Sequence, residues 1–280
     1  MRTSKTSKRV TKRASKTVKT TKTSKAAMGT PANRLSMNVT GPQKFSDIDV
    51  PDILRTTVGT GWNEIDALFT GTGIRPSTVT LVTGLPGAGK TTINLQLADK
   101  LAALGHTVLY NSCEESGQQL KMKLEKLELN DMIEKGYHAS LVEIGEILEQ
   151  AEKLRSQTPE GKQFFLFIDS IQTVEKAHEG RGRKPSQQNQ STEAVWDITA
   201  WCKQTMAIAT VIGQVTKDGE FEGKQTLKHA IDCHLHLHVD TDRKSDTHGK
   251  RVAEMEKNRW GTAGLYFTYE IDSSGIRFEG

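Results

Sequence analysis

The chain has 280 residues, of which 35% are hydrophobic, and this length and composition favour one substantial core with appendages. The longest apolar runs, such as residues 164–168, are too short to cross a bilayer, and the first residues contain no apolar stretch typical of a signal peptide. We therefore expect no membrane partner and a cytoplasmic, reducing location, which suits three widely spaced cysteines without a CxxC pair, Cys113, Cys202 and Cys233.

Positive charge is concentrated at the start of the chain. Residues 1–46 contain 12 Lys or Arg and no Asp or Glu, which leaves 26 basic and 34 acidic residues in the remainder. Residues 1–26 are low in complexity and too polar to offset chain entropy, so we predict a disordered basic tail there and a linker over 27–52. The tail would bind phosphate backbones without reading sequence; a targeting signal is the alternative.

From residue 53 onward the hydrophobic pattern alternates between strands and helices. The order favours an α/β fold with a mainly parallel central sheet flanked by helices, followed after Ala230 by a mainly antiparallel extension. A capping box at Ser116 and Gln119 marks one helix start. The predicted segments are strands at 79–83, 107–110, 164–168 and 207–213, and helices near 93–104, 116–127, 144–154 and 192–203.

A glycine-rich loop joins the first of these strands to the first helix. It matches GxxxxGK[ST] in the strand-to-helix context that the motif requires, so we predict an ATP and Mg²⁺ site. Backbone amides and the helix N-terminus would hold phosphates, Lys90 would reach the β- and γ-phosphates, and Thr91 would hold Mg²⁺. The predicted binding residues are Gly84, Leu85, Pro86, Gly87, Ala88, Gly89, Lys90, Thr91 and Thr92.

Acidic residues follow two other strands at the same predicted sheet edge. Asp169 ends the apolar run 164–168, and ligands of open α/β sheets bind at the carboxyl ends of strands, so Asp169 is the candidate magnesium-linked carboxylate. Glu114 and Glu115 follow the strand near Tyr110, and one of them is expected to orient the attacking water. Helix-capping roles are the alternatives for all three carboxylates.

Six segments together resemble the ATPase core of the bacterial RadA (Sms) family of RecA-like DNA-repair proteins. In chain order they are TGWNEIDALFTGTG from Thr60, TGLPGAGKTT from Thr83, LYNSCEES from Leu109, FIDSIQTV from Phe167, VTKDGEFEG from Val215 and KNRWG from Lys257. The resemblance covers residues 56–280 and implies that 53–280 forms a RecA-like ATPase domain.

The resemblance also implies roles for individual residues. It implies a catalytic Glu114, a γ-phosphate sensor at Gln214, and an oligomer, expected to be a hexameric ring, in which Lys257 and Arg259 act on nucleotide bound by the neighbouring subunit. Independently, the spacing of these two cations would place them on one strand face if the strand continues. The family's zinc motif and protease-like domain are not expected here, Trp260 replaces a family Phe, and Gln214 replaces a family His.

Two polar segments follow strands that carry predicted ATP-contacting residues, and RecA-like proteins place DNA-binding loops at such positions. The segment 175–190 contains Arg181, Arg183 and Lys184, and the segment 217–228 contains Lys217 and Lys224. We predict that they bind single-stranded DNA, with ordinary solvated surface as the alternative. The alternating His234, His236 and His238 are interpreted as a polar sheet face rather than a zinc site.

The sequence therefore predicts a DNA-stimulated ATPase that acts on single-stranded DNA in recombination or repair, as a branch-migration motor or helicase. A replicative DnaB-like helicase is one alternative. The other is a DNA-binding protein that uses ATP as a switch and hydrolyses it slowly.

Overall fold

The computed structural model describes residues 41–176, 186–214 and 225–279. The predicted tail and most of the linker lie outside these ranges. No helix in them is long and apolar enough to span a membrane. Their helices are α1 (Asn63–Phe69), α2 (Lys90–Ala103), α3 (Gly117–Lys126), α4 (Asn130–Lys135), α5 (Ile144–Arg155), α6 (Gln187–Thr205) and α7 (Gln225–Ala230). Their strands are β1 (Val79–Gly84), β2 (Thr107–Ser112), β3 (Tyr137–Ala139), β4 (Phe164–Asp169), β5 (Ile208–Ile212), β6 (Cys233–Val239), β7 (Arg251–Asn258), β8 (Tyr266–Asp272) and β9 (Gly275–Phe278).

One sheet contains all of these strands, in the order β3-β2-β4-β5-β1-β6-β7-β8-β9. The pairings from β3 to β6 are parallel, and those from β6 through β9 are antiparallel. The predicted mainly parallel sheet with an antiparallel extension is therefore confirmed. The first strand after Ala230, β6, is still parallel to β1, so the change of direction comes one strand later, at β7.

Apolar clusters cover both faces of the sheet. Strands β1 and β4 are buried along their whole length, which explains why their sequences are not clearly alternating. One cluster contains the inward residues of α2 and the other contains those of α5 and α6. The strand ends that carry polar residues are thus held between two packed layers.

The capping box predicted before α3 is present. Ser116 Oγ accepts from the Gln119 amide at 3.3 Å, and Gln119 Oε1 accepts from the Ser116 amide at 2.9 Å. Helix α6 begins earlier than the predicted 192, because Ser186 caps it and its polar first turn carries no apolar periodicity. Four short elements, α1, α4, α7 and β3, were not predicted, since segments this short show too little periodicity to be recognised.

Candidate nucleotide-binding site

The loop between β1 and α2 has a backbone that only glycine fits at two positions. A Cβ on Gly84 would lie 2.4 Å from the carbonyl oxygen of Leu237, because β6 packs directly against the start of the loop. Gly89 caps α2 in a left-handed conformation, with φ of 96°. The backbone of the loop therefore lies next to the N-terminus of α2. Backbone amides at a helix N-terminus are suited to binding phosphate groups.

A cavity of about 350 Å³ opens beside this loop, a size typical of small-ligand sites. Of the predicted binding residues, Gly84, Leu85 and Ala88 do not line it. The structure thus brings most of the predicted site to one place. The lining residues are Pro86, Gly87, Gly89, Lys90, Thr91, Thr92, Glu114, Asp169, Ser170, Ile212, Gln214 and Ile271.

Asp169 lies at the end of β4, joined to Ser170 by a cis peptide bond. Its Oδ2 accepts hydrogen bonds from Thr91 Oγ1 at 2.8 Å and from Tyr110 Oη at 3.0 Å. Burial raises the pKa of Asp169, and these two hydrogen bonds act in the opposite direction. A carboxylate beside a hydroxyl is an oxygen donor set that fits Mg²⁺. Tyr110 was not predicted as a site residue, since its pattern in the sequence is that of a buried strand.

Lys90 is the first residue of α2, and its side chain turns back to the loop. Its Nζ donates to the carbonyl oxygens of Gly84 at 2.7 Å and Leu85 at 3.2 Å. Burial lowers the pKa of Lys90, while the charges of Asp169 and Glu114 act in the opposite direction. The ammonium group is therefore held at the mouth of the loop, next to both carboxylates.

The two neighbouring glutamates point in different directions. Glu114 lines the cavity, where its Oε1 accepts from Ser170 Oγ and lies 3.4 Å from Gln214 Nε2. Glu115 forms an ion pair with Lys123 of α3 instead. This geometry favours Glu114 as the group that orients water, and it unites Glu114 and Gln214, which follow different strands.

Lys257 and Arg259 lie at the opposite end of the sheet from the loop. Arg259 Nη1 is 2.8 Å from Oδ1 of the fully buried Asp232, whose other oxygen accepts from the amide of Val79 at 3.0 Å. Val79 begins β1 and Gly84 ends it, so the rise per residue separates them by about 17 Å. Arg259 therefore does not reach the loop of its own chain.

The expected strand face shared by the two cations is not formed, because β7 ends at Asn258. Lys257 Nζ donates to the carbonyl oxygens of Lys228 at 2.6 Å and Ile231 at 2.7 Å. The guanidinium of Arg75 and the ammonium of Lys203 lie 5.5 and 5.6 Å from the ring centroid of Trp260. Asp232 also accepts a hydrogen bond from Lys203 Nζ at 2.7 Å. No sequence pattern predicted that this carboxylate binds both Lys203 and Arg259.

The predicted DNA-binding residues Arg181, Arg183, Lys184, Lys217 and Lys224 lie outside the described residues. The last four residues of the predicted loop 217–228 are not loop, because they begin helix α7. Gln214 lines the cavity and lies three positions before this segment.

The three alternating histidines project from one face of β6. Cys233, Leu235 and Leu237 pack into the cluster on the α2 side, so the histidines point to the other face. Among the described residues no group of three or more His, Cys, Asp or Glu is arranged to hold a metal ion.

A glycine loop at a helix N-terminus, with a lysine, a hydroxyl and a buried carboxylate at neighbouring strand ends, defines a P-loop ATPase core. Comparison with known families agrees, since residues 58–279 match the ATPase family described as KaiC. The chain belongs to this family of RecA-like ATPases.

Among curated proteins, the chain is similar to the DNA repair protein RadA from several bacteria. It is 31% identical to that of Mycobacterium tuberculosis H37Rv over 218 residues, which cover 78% of this chain and 42% of the relative. It is 32% identical to that of Escherichia coli K12 over 243 residues, which cover 86% and 48%. The chain spans about half the length of these relatives. The resemblance to RadA that the motifs predicted is confirmed for the ATPase core.

Solved structures share the fold at low sequence identity. A DnaB-like replicative helicase has a TM-score of 0.67 and 16% identity, with 79% of this chain and 61% of that chain covered. A KaiC-like protein from Pyrococcus horikoshii has a TM-score of 0.64 and 17% identity, with 80% and 99% covered. These matches confirm the predicted fold class.

Proposed function

We propose that this chain is a DNA-stimulated ATPase that acts on single-stranded DNA in recombination or repair, as a branch-migration motor or helicase. The observation that carries the proposal is the contact between Glu114 and Gln214 in the cavity, because Gln214 lies three positions before the predicted DNA-binding segment 217–228. Loss of the γ-phosphate would thus change the contacts of Gln214, and a shift of Gln214 would move the start of the predicted DNA-binding loop. The RadA similarity of the core supports repair as the setting.

In this proposal MgATP supplies the phosphoryl group and the cation that neutralises its charge. Thr91 and Asp169 hold Mg²⁺, and the loop amides with Lys90 hold the phosphates. Glu114 orients the attacking water and accepts its proton, while Ser170 fixes the carboxylate by donating a hydrogen bond to it. Gln214 reports the state of the γ-phosphate.

We further propose that neighbouring subunits of a ring complete each site through Lys257 and Arg259. Support comes from their position, because both lie at the sheet end opposite the loop and Arg259 is about 17 Å along the strand from it. Cations placed there would serve a neighbour's phosphates rather than their own.

The direct test is ATP turnover with and without single-stranded DNA, with duplex DNA and RNA as comparison ligands. We expect single-stranded DNA to raise turnover severalfold. ATP binding without DNA-responsive turnover would favour the switch protein instead. Unwinding of a fork, without extension of a recombination intermediate, would favour the replicative helicase.

The assignment of Glu114 predicts different results for the two neighbouring glutamates. Glu114→Gln is expected to retain ATP and to lower turnover at least about 100-fold, because it removes a proton acceptor and keeps the phosphate contacts. Glu115→Gln removes a partner of Lys123 outside the cavity, and should keep most of the activity. Single-turnover ATPase assays beside nucleotide-binding titrations would decide. Stalling by Glu115→Gln with an active Glu114→Gln would reverse the assignment.

Deletion of residues 1–25 tests the role of the tail. Ten Lys or Arg lie in this region, so its loss should weaken DNA binding and flatten the dependence of affinity on salt, while basal ATP hydrolysis stays nearly intact. Fluorescence anisotropy over a salt series gives the slope. An unchanged slope would point to a targeting role for the tail.

A further inference from the structure

A line of polar side chains crosses three strands next to the glycine loop. Thr83, the residue before Gly84, has its Oγ1 2.7 Å from His234 Nε2 and 2.8 Å from His236 Nδ1. His234 Nδ1 lies 2.8 Å from Glu256 Oε2. Lys228 Nζ, on α7, is 3.3 Å from the same oxygen. The line therefore runs from β1 through β6 and β7 to α7.

The contacts on either side of His234 join the Thr83 hydroxyl to a carboxylate. Contact with His234 lowers the pKa of Glu256 to about 2, so this carboxylate is ionised. The His234 ring lies between the two groups, with Nε2 2.7 Å from Thr83 Oγ1 and Nδ1 2.8 Å from Glu256 Oε2. Burial lowers the pKa of His236 to about 4, and its Nδ1 lies 2.8 Å from the same hydroxyl.

The line passes through a local irregularity of β7. His234 pairs with Lys257, but Leu235 pairs with Met255, so Glu256 is an extra residue in β7. A β-bulge of this kind redirects the side chains beside it and interrupts the backbone ladder. The contact with His234 holds the bulge in place, and Lys257 follows it directly.

The other contacts of Lys257 tie it to the same line. Its Nζ donates to the carbonyl oxygen of Lys228, whose own ammonium pairs with Glu256. Thr83 is fully buried and the side chain of His234 is 3% exposed, so water has little access to replace a lost partner.

We propose that Thr83, His234 and Glu256 are positioning residues that set the place of Lys257 and α7 relative to the glycine loop. The proposal rests on the proposed function, in which Lys257 serves a neighbour's site and α7 contains the end of the predicted DNA-binding segment 217–228. A displacement of the C-terminal end of β1 would move the Thr83 hydroxyl. Because this hydroxyl contacts His234 and His234 contacts Glu256, the bulge and Lys257 would move with it.

Thr83→Val tests the positioning role, because it removes the hydroxyl and leaves a side chain of nearly the same shape. The same strand offers a matched control. Thr80 is also buried, and its Oγ1 has no hydrogen-bond partner among the described residues. Thr80→Val therefore removes a buried hydroxyl without breaking a hydrogen bond within the described residues. We expect Thr83→Val to lower kcat at least about tenfold with KM for ATP nearly unchanged, and Thr80→Val and Thr83→Ser to stay near the wild-type values.

A second measurement needs no turnover. Hydrogen exchange of the full chain, followed by mass spectrometry, should show faster exchange in Thr83→Val at residues 225–231 and 255–258, and no such change in Thr80→Val. Equal exchange in the two valine variants over these segments would overturn the proposal.

These outcomes separate the two proposals. A wild-type protein that binds ATP but never hydrolyses it contradicts the proposed function, and the positioning role is then decided by hydrogen exchange alone. If Thr83→Val does not fold, Glu256→Gln replaces it. This variant removes the charge that attracts Lys228, and it should speed exchange over the same two segments and lower kcat in an active wild type.

Discussion

Lys90→Ala is expected to abolish ATP turnover and to weaken ATP binding. Among the described residues that line the cavity, Lys90 carries the only positive charge, and it is the lysine that the motif directs to the β- and γ-phosphates. Its ammonium is already directed into the loop by the carbonyl oxygen of Gly84, 2.7 Å away. Alanine would also remove the ammonium charge that attracts Asp169 and Glu114, so that Mg²⁺ alone would offset the repulsion between these carboxylates and the phosphates. Steady-state ATPase assays and titration with a fluorescent ATP analogue measure the two effects.

The matched control is Lys153→Ala. Lys153 is an exposed lysine of α5 that pairs with Glu149 at 3.0 Å, and exposed pairs of this kind contribute little to stability. Its loss should leave turnover unchanged. Near-normal turnover in Lys90→Ala would exclude the glycine loop as the hydrolytic site, and thermal unfolding of both variants would show that a loss of activity is not a loss of fold.

Arg259→Ala is expected to keep ATP binding largely intact and to lower turnover on the order of 10³-fold, as the loss of an arginine that acts between subunits does in related chemistry. The loop and Mg²⁺ bind the ground state, whereas a further cation acts mainly on charge that develops during phosphoryl transfer. The change also removes one partner of the buried Asp232, which keeps the ammonium of Lys203 at 2.7 Å. Unfolding should therefore be measured beside turnover.

Mixing two inactive variants separates action between subunits from action within one. Mixed oligomers of Arg259→Ala and Lys90→Ala contain some interfaces with an intact loop on one side and an intact Arg259 on the other, so partial activity should return. Arg277→Ala is the control, since Arg277 is an exposed arginine paired with Asp272 within the extension. Continued inactivity of variants that co-assemble, or a specific activity that survives dilution to monomers, would show that Arg259 does not act across an interface.

Much of the site could be predicted because its residues follow strands in a recognisable order. The loop at 84–92 and the run ending at Asp169 are local patterns, and the parallel sheet brings their ends to one edge. Patterns of this kind could not choose between Glu114 and Glu115. Both follow the same strand. The structure separates them, because Glu115 pairs with Lys123 of α3 while Glu114 contacts Ser170, which follows the neighbouring strand β4.

The sequence by itself determined the class of fold and the chemistry of the loop, because hydrophobic periodicity and the glycine pattern act within a few residues. The tertiary structure decided the partners of side chains far apart in the chain. Tyr110 meets Asp169, Arg259 meets Asp232, and Thr83 meets His234, 151 residues away. Such contacts depend on the order and register of the strands, and one residue of difference in register turns a side chain to the other face of the sheet.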